Sequence, residues 1–210
     1  MNHLLREKAP ITDAVWAQID QEVTRSITEV LAGRRLLDVT DPKGWQHSAE
    51  STGRTRHVGV IMGDVDARVR AVNPLVELKV PFAVSRAELD AIDRGACDAN
   101  LDSVRTAARD AAIAEDTAVF HGFEAGGIAG VVPATPNEAV TIDSDYEKYP
   151  SAVAQAVAKL KTGGVAGPYA IALGPRCYTG VVEQSEMGGY PVLKRLELIL
   201  GGPVIFAPGV

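Results

Sequence analysis

Two strand-like runs in the middle of the chain place the strongest constraint on its fold. Across residues 51–72 apolar and polar residues alternate, and Gly63-Asp64 separates the two runs as a turn. This pattern predicts a two-stranded ribbon, which needs another surface to lie on because an isolated hairpin is only marginally stable in water. Its basic side chains are either a solvated face or the charges of a projecting arm that pairs with another subunit. These side chains are Arg54, Arg56, Arg68 and Arg70.

A long amphipathic helix is predicted near the N-terminus. Thr12 or Asp13 caps it, and apolar residues then recur at helical spacing. They are Trp16, Ile19, Val23, Ile27 and Val30. Gly33 is expected to end the helix by adopting a positive φ, and the apolar residues that follow predict a short strand before a turn at 41–44. The strand residues are Leu36, Leu37 and Val39.

The remaining pattern alternates helices and strands. A strand at 75–82 leads to a short helix, which a Ser85–Glu88 capping box opens and Gly95 closes. An alanine-rich helix follows at 101–120 and ends at His121-Gly122. The last third predicts helices at 151–160, from Gly174-Pro175 onward and at 192–200, and strands at 167–173 and 204–206. The first of these strands lacks polar alternation, so both of its faces are expected to be buried.

Composition excludes several classes of protein. A hydrophobic content of 46% in 210 residues allows a real core in one domain or two small ones. No apolar run is long enough to span a bilayer, and the first residues lack the apolar segment of a signal peptide, so a cytoplasmic protein is predicted. A net charge of -6 argues against a nucleic-acid surface over the whole protein. Cys97 and Cys177 are too few for a disulfide framework and are expected to be free thiols.

No motif points to an enzyme. The histidines have no metal-ligand spacing, and the glycine clusters at 126–130 and 163–167 match neither a phosphate loop nor a dinucleotide fingerprint. The nucleophile-elbow pattern is absent. Glu115-Asp116 is interpreted as a solvated or packed acidic step of a helix rather than a catalytic pair. The motifs therefore predict no catalytic residue, metal or cofactor.

Several short motifs follow one another in a defined order. They are Ala9-Pro10-Ile11-Thr12 with Trp16 and Ile19, Gly33-Arg34-Arg35-Leu36-Leu37-Asp38-Val39, Pro42 with Gly44, Glu88-Leu89-Asp90 with Arg94-Gly95, Glu115-Asp116 with Phe120 and Gly122, Gly167-Pro168-Tyr169, and Gly189-Tyr190-Pro191. No single motif is specific, but their order and spacing cover essentially the whole chain. In this order the sequence resembles the encapsulin, or linocin-like, shell proteins.

The resemblance implies a subunit of a hollow icosahedral nanocompartment. The expected fold is α+β, the tailed-phage major capsid fold of the Hong Kong 97 type. It divides the chain into an N-terminal helix with the first part of a peripheral domain (1–48), an extended loop (49–77), the rest of the peripheral domain with its spine helix (78–133) and an axial domain (134–210). The predicted ribbon then corresponds to the extended loop, which lies along a neighbouring subunit.

The resemblance also implies a cargo site. Family members capture an enzyme through a short C-terminal targeting peptide that docks beside the N-terminal helix. The matching positions are Ile27, Arg34, Leu36 and Asp38, where the apolar pair would bury the peptide's anchors and the charged pair would fix its register. The alternative is that these residues only lock the helix to the next strand. The usual cargo is a dye-decolourising peroxidase or a ferritin-like iron oxidase, so oxidative-stress defence or iron storage would follow. The partners implied are thus copies of the chain and a cargo enzyme, with no nucleic acid and no membrane.

A loop before the last helix completes the expected sites. Glu186, Met187, Gly188, Gly189 and Tyr190 match a loop at or near the five-fold pore. Glu186 would contribute to a weakly cation-favouring ring there, or else is an ordinary exposed loop residue.

Two departures from the family pattern shape the expectations. Some members carry a tryptophan, with an associated flavin, where this chain has Ala87, so no flavin is predicted there. Family members continue for several dozen residues beyond the match to Pro203-Val204-Ile205-Phe206-Ala207-Pro208, whereas this chain stops at Val210, which puts closure of a normal shell in question. The alternative function is a secreted bacteriocin or peptidase-like protein, against which the absent signal peptide and nucleophile elbow both weigh.

Overall fold

A computed structural model describes residues 4–186 and 188–210. Its α-helices are α1 (Asp13–Val30), α2 (Gly33–Leu36), α3 (Arg86–Asp93), α4 (Asp102–His121), α5 (Val131–Ala134), α6 (Tyr149–Thr162), α7 (Pro175–Glu183) and α8 (Val192–Leu200). Its strands are β1 (Ala49–Met62), β2 (Val65–Pro74), β3 (Ile171–Leu173) and β4 (Val204–Phe206). Within this part of the chain, no helix combines the length and the apolar composition that crossing a bilayer requires.

The N-terminal half is built on the contact between α1 and α4. Helix α1 begins where the Thr12 hydroxyl accepts a hydrogen bond from the Val15 N–H at 3.3 Å, as the capping pattern predicts. The apolar face of α1 packs against α4 and the end of α3. The buried side chains there are Val15, Ile19, Ile92, Leu101 and Val104. A charged tie adds to this core, because Arg105 on α4 donates to Glu22 on α1 at 2.8 Å.

Helix α3 starts at the predicted cap, but its capping box is only half formed. The Ser85 hydroxyl accepts from the Glu88 N–H at 3.3 Å, whereas the Glu88 carboxylate accepts from the Asn100 N–H at 2.8 Å. Glu88 therefore joins α3 to the segment that leads into α4. The strand predicted at 75–82 is wrong, since these residues pair with no strand in the described part of the chain. A strand needs a partner strand to pair with its backbone N–H and C=O groups.

The predicted ribbon is confirmed. Strands β1 and β2 pair antiparallel from Ala49–Pro74 at the base to Met62–Val65 at the tip, where Gly63-Asp64 makes the turn. Most ribbon side chains are exposed on both faces. Apolar residues are among them, namely Val58, Val60, Ile61, Met62, Val65, Val69 and Val72.

The C-terminal half forms a second core. Strands β3 and β4 are parallel, and α6, α7 and α8 pack around them. Its buried side chains are Tyr149, Val153, Val157, Leu173, Val181, Val192, Leu196 and Leu200. The strand predicted at 167–173 is shorter than expected and is not buried on both faces, because Ile171 and Ala172 remain partly exposed.

A small third cluster joins the two halves at the end of α4. It contains Ala32 after α1, Phe120 on α4, and Ile205 and Ala207 from the β4 segment. Beyond β4, the Gly209 carbonyl accepts a hydrogen bond from the Thr117 hydroxyl at 3.4 Å. The chain that follows β4 therefore lies against the same stretch of α4 as the chain that follows α1.

Candidate functional site

The junction after α1 is held by a carboxylate from α4. The N–H groups of Ala32 and Gly33 donate to the two oxygens of Asp116 at 2.7 and 2.8 Å. Asp116 is fully buried, so these two bonds satisfy both carboxylate oxygens away from water. The backbone turns into the short helix α2 at this point. We call the segment 31–38 the junction segment.

Two expectations for the junction segment are wrong. Gly33 begins α2 rather than ending α1, and it has no positive φ. Its role is spatial, because a Cβ at this position would lie 3.0 Å from the Asp116 Oδ1 atom and 3.3 Å from the Val119 Cγ1 atom. The strand expected at Leu36, Leu37 and Val39 is also absent, since Leu36 closes α2 and the later residues are irregular and exposed. The hydrogen bonds to the Asp116 carboxylate, a contact distant in the sequence, outweigh the local preference of this segment for a strand.

Arg34 is bound to the neighbouring acid on α4. Its Nε and Nη2 atoms donate to the two oxygens of Glu115 at 2.6 and 2.9 Å, a bidentate arrangement. The hydrogen bonds to Glu115 raise the pKa of Arg34 above its ordinary value, against the opposing effect of burial. The guanidinium remains charged, and its Nη1 atom donates to no residue that the structure describes.

The structure brings three of the four predicted cargo-site residues to α4. Ile27 is half-buried against a cluster that includes Ala112, and Leu36 is half-buried against the cluster that includes Phe120. Arg34 reaches the same helix between them through its ion pair. Asp38 lies two residues beyond α2, is exposed and makes no salt bridge with any described residue. The site therefore presents partly exposed apolar side chains beside a paired cation and an exposed carboxylate.

An apolar groove continues from this site along α4. It has a volume of about 750 Å³ and lies between α4 and the extended segment that follows β2. Its walls are Pro74, Leu75, Val76, Leu78, Ala114, Glu115, Thr117, Ala118, Val119, Gly122, Phe123 and Ile128. Glu115 and Val119 belong both to the groove and to the contacts of the junction segment. Sequence reasoning missed this groove because the segment at 75–82 was expected to be a paired strand.

The four ribbon arginines do not form one face. Thr55 lies opposite Arg70 and His57 opposite Arg68, so these two arginines share a face, while Arg56 lies opposite Val69 on the other face. Arg68 also donates to Asp66 of its own strand at 2.8 Å. Its charge is therefore already paired within the ribbon. Arg54, Arg56 and Arg70 make no salt bridge within the described residues, so their charges remain available to another surface.

The loop between α7 and α8 is tied across its base. The Glu186 N–H donates to the Tyr190 carbonyl at 2.8 Å, and the Gly189 N–H donates to the Glu186 carbonyl at 2.9 Å. Gly188 and Gly189 have φ values of 105° and 79°, which only glycine adopts readily. Glu186 is half-buried and Tyr190 is exposed, whereas Met187 lies outside the described residues. The glycines therefore permit the tight reversal on which Glu186 sits.

Nothing in the described part of the chain resembles a metal centre. Across residues 4–186 and 188–210, no three histidine, cysteine, aspartate or glutamate side chains group closely enough to hold a metal ion.

Comparison with known proteins decides the family. The Linocin_M18 family, described as "Encapsulating protein for peroxidase", matches residues 1–210. The chain belongs to the encapsulin family. A type 1 encapsulin shell protein of Rhodospirillum rubrum is 46% identical over 216 residues, which cover 100% of this chain and 77% of the relative. Shell proteins of Brevibacterium linens and Mycobacterium tuberculosis are 41% and 40% identical, and each match covers 100% of this chain and 79% of the relative.

A solved structure establishes the fold of this encapsulin. A virus-like particle from Pyrococcus furiosus superposes with a TM-score of 0.54 at 16% sequence identity, covering 92% of this chain and 74% of that chain. The chain therefore has the α+β capsid fold of the Hong Kong 97 type, as expected. It is a structural shell subunit, not an enzyme, and assembles with copies of itself into a protein cage. The alternative of a secreted bacteriocin or peptidase is not supported.

Proposed function

We propose that this encapsulin captures a cargo enzyme by binding its C-terminal targeting peptide on the junction segment. The observation that carries the proposal is the convergence of Ile27, Arg34 and Leu36 on α4. The two apolar side chains are each only half-buried, so each retains surface that a peptide's aliphatic anchors can cover. Arg34, through the Nη1 atom that its pair with Glu115 does not use, and the exposed Asp38 would fix the register of a bound peptide by charged hydrogen bonds.

A peroxidase is the cargo class that the proposal favours. The family description names a peroxidase, and a dye-decolourising peroxidase therefore stands ahead of a ferritin-like protein as the partner. With a dye-decolourising peroxidase as cargo, the cage would serve in oxidative-stress defence. With a ferritin-like protein as cargo, it would store iron. We place such a cage in the cytoplasm, and cell fractionation tests that placement.

Substitution of Leu36 tests the proposed site. Labelled peptides from the C-terminus of a dye-decolourising peroxidase and of a ferritin-like protein are titrated into assembled shells. Leu36→Asp puts a charge into the apolar surface. The affinity of this variant should therefore be lower by a factor of about ten or more for at least one of the peptides that bind wild-type shells. Leu37→Asp adds the same charge one residue along, on a side chain that is 42% exposed, and serves as the control. Unchanged affinity in Leu36→Asp would remove Leu36 from the site.

We also propose that the division of the chain expected from the family describes its domains. The α1–α4 core supports a peripheral domain at 1–48 and 78–133, and the α6–α8 core supports an axial domain at 134–210.

The ribbon supports an extended loop at 49–77, in which residues 49–74 form β1, the turn and β2. Arg54, Arg56 and Arg70 would then meet acidic side chains of a neighbouring subunit. The loop 186–190 would lie near the five-fold pore, with Glu186 favouring cations. Cross-links between the ribbon and a second subunit in assembled shells test the extended loop, and finding none would contradict it.

A further inference from the structure

Asp116 is a buried carboxylate whose partners are backbone groups. It is fully buried and makes no salt bridge within the described residues, and its oxygens accept hydrogen bonds from the Ala32 and Gly33 N–H groups. The Arg34 guanidinium also attracts it electrostatically, without a direct contact. A buried carboxylate is costly unless every acceptor is used, and an apolar residue of similar volume would avoid that cost. The placement of this acid therefore calls for a role beyond filling space.

Two glycines make the room for this carboxylate. A Cβ on Gly33 would stand 3.0 Å from the Asp116 Oδ1 atom, and a Cβ on Gly209 would stand 2.7 Å from the Asp116 Cβ atom. The carboxylate is thus enclosed between the junction segment and the chain that follows β4. In this enclosure the two hydrogen bonds set where α2 begins and which way it runs.

Helix α2 carries the side chains of the proposed cargo site. Arg34 follows Gly33 directly, and Leu36 closes the same turn of helix. Glu115, the neighbour of Asp116 on α4, holds the Arg34 guanidinium through two further hydrogen bonds. Adjacent acids on one helix therefore fix the backbone of the junction segment and the orientation of one of its side chains.

We propose that Asp116 is a positioning residue for cargo-peptide binding, an inference that rests on the proposed function. It holds α2 in the peptide-binding conformation before the peptide arrives. Pre-organisation of this kind strengthens binding because the segment loses less conformational freedom when the peptide docks. Peptide affinity and particle size are separate readouts, so the positioning role is tested on shells that have already assembled.

The test substitutes Asp116→Asn, which keeps the shape but replaces one acceptor by a donor. Assembled shells of this variant are titrated with labelled peroxidase and ferritin-like C-terminal peptides, and amide hydrogen exchange is followed across residues 31–36. We expect about tenfold weaker peptide affinity and faster exchange in that segment, with particle size unchanged. Asp110→Asn makes the same chemical change at an exposed position of α4 and should leave both readouts at wild-type values. Wild-type affinity in assembled Asp116→Asn shells would overturn the inference.

A second variant covers the case in which Asp116→Asn fails to assemble. Gly33→Ala keeps the carboxylate but crowds it at the 3.0 Å contact, so a smaller loss, about threefold, is expected. Unchanged affinity in Gly33→Ala would contradict the positioning role as well. Leu36→Asp in the same assay separates the two proposals. If it retains wild-type affinity, the cargo site itself is misplaced; if only the Asp116 and Gly33 variants bind normally, the site stands and the positioning role fails.

Discussion

Ile61 offers a direct test of how the ribbon serves assembly. It lies next to the ribbon tip and is 77% exposed in the subunit. If the ribbon lies along a neighbouring subunit, most of this apolar surface leaves water when the cage forms. Full burial of an isoleucine contributes about 1.5–3 kcal/mol, and the exposed share of Ile61 corresponds to about 2 kcal/mol. Ile61→Asp removes this contribution and adds a carboxylate that must be desolvated.

The expected result is a selective loss of assembly. A loss of 2 kcal/mol at one interface raises the subunit concentration needed for assembly by about 30-fold. The melting temperature of the unassembled subunit should barely change, because the side chain is exposed there. Light scattering after size-exclusion chromatography, run over a dilution series, measures the assembled fraction, and Ile61→Leu is the apolar control. If Ile61→Asp assembles over the same concentrations as Ile61→Leu, the ribbon tip is not buried in the cage.

Three further predictions address stability and permeation. Burial opposes ionisation of Glu22, but hydrogen bonds from two arginines outweigh it and hold the pKa of this carboxyl below its ordinary value of 4.5. Ionised Glu22 therefore stabilises the folded subunit at a pH above 4.5, and this stabilisation is lost as the pH falls through the lower folded-state pKa. The free energy of unfolding of Glu22→Gln should be about 1–2 kcal/mol smaller than that of the wild type at neutral pH, and the difference should vanish in acid. Gly130→Ala would place a Cβ 2.2 Å from the Gly122 nitrogen and should destabilise the subunit by about 3 kcal/mol in chemical denaturation. If the loop 186–190 lines the five-fold pore as proposed, Glu186→Lys should slow metal-ion influx into cargo-loaded cages, because a cationic ring repels cations.

Matched variants give these predictions their controls. Glu29→Gln removes an acid that is 54% exposed, so it should show little of the pH-dependent deficit. Gly163→Ala has ordinary contacts at 3.4 Å and no positive φ, so it should fall within about 0.5 kcal/mol of wild type. Glu183→Lys changes an exposed acid at the end of α7 and should leave influx unchanged. Equal effects of variant and control in any pair would contradict the corresponding argument.

Local sequence signals predicted much of the fold. The Thr12 cap, the Ser85 cap, the alanine-rich helix and the ribbon turn each depend on residues close together in the chain, and all are confirmed. The bounds of α8 and β4 also agree with the apolar periodicity. Such elements are predictable because capping, periodicity and turn chemistry operate over a few residues.

The misses arise from contacts that are distant in sequence. The sequence after α1 is typical of a strand, but this segment forms α2. The Asp116 carboxylate, more than eighty residues away in the sequence, accepts hydrogen bonds from the N–H groups at the start of this helix. The segment at 75–82 is rich in apolar residues, yet no described strand pairs with it, and its first residues border the groove along α4 instead. At the candidate site, the family resemblance indicated Arg34 and Leu36, whereas neither spacing nor periodicity predicted their acidic neighbours on α4 as partners. An acidic step in an alanine-rich helix was the only local signal.

The measurement that bears most directly on the central claim is the native mass and shape of the purified protein. A shell subunit of 22.2 kDa should appear as uniform hollow spheres of megadalton mass by native mass spectrometry and electron microscopy, with the ribbon protected from hydrogen exchange in the particle. A stable monomer or small oligomer whose ribbon exchanges freely, at concentrations where its encapsulin relatives form shells, would contradict it.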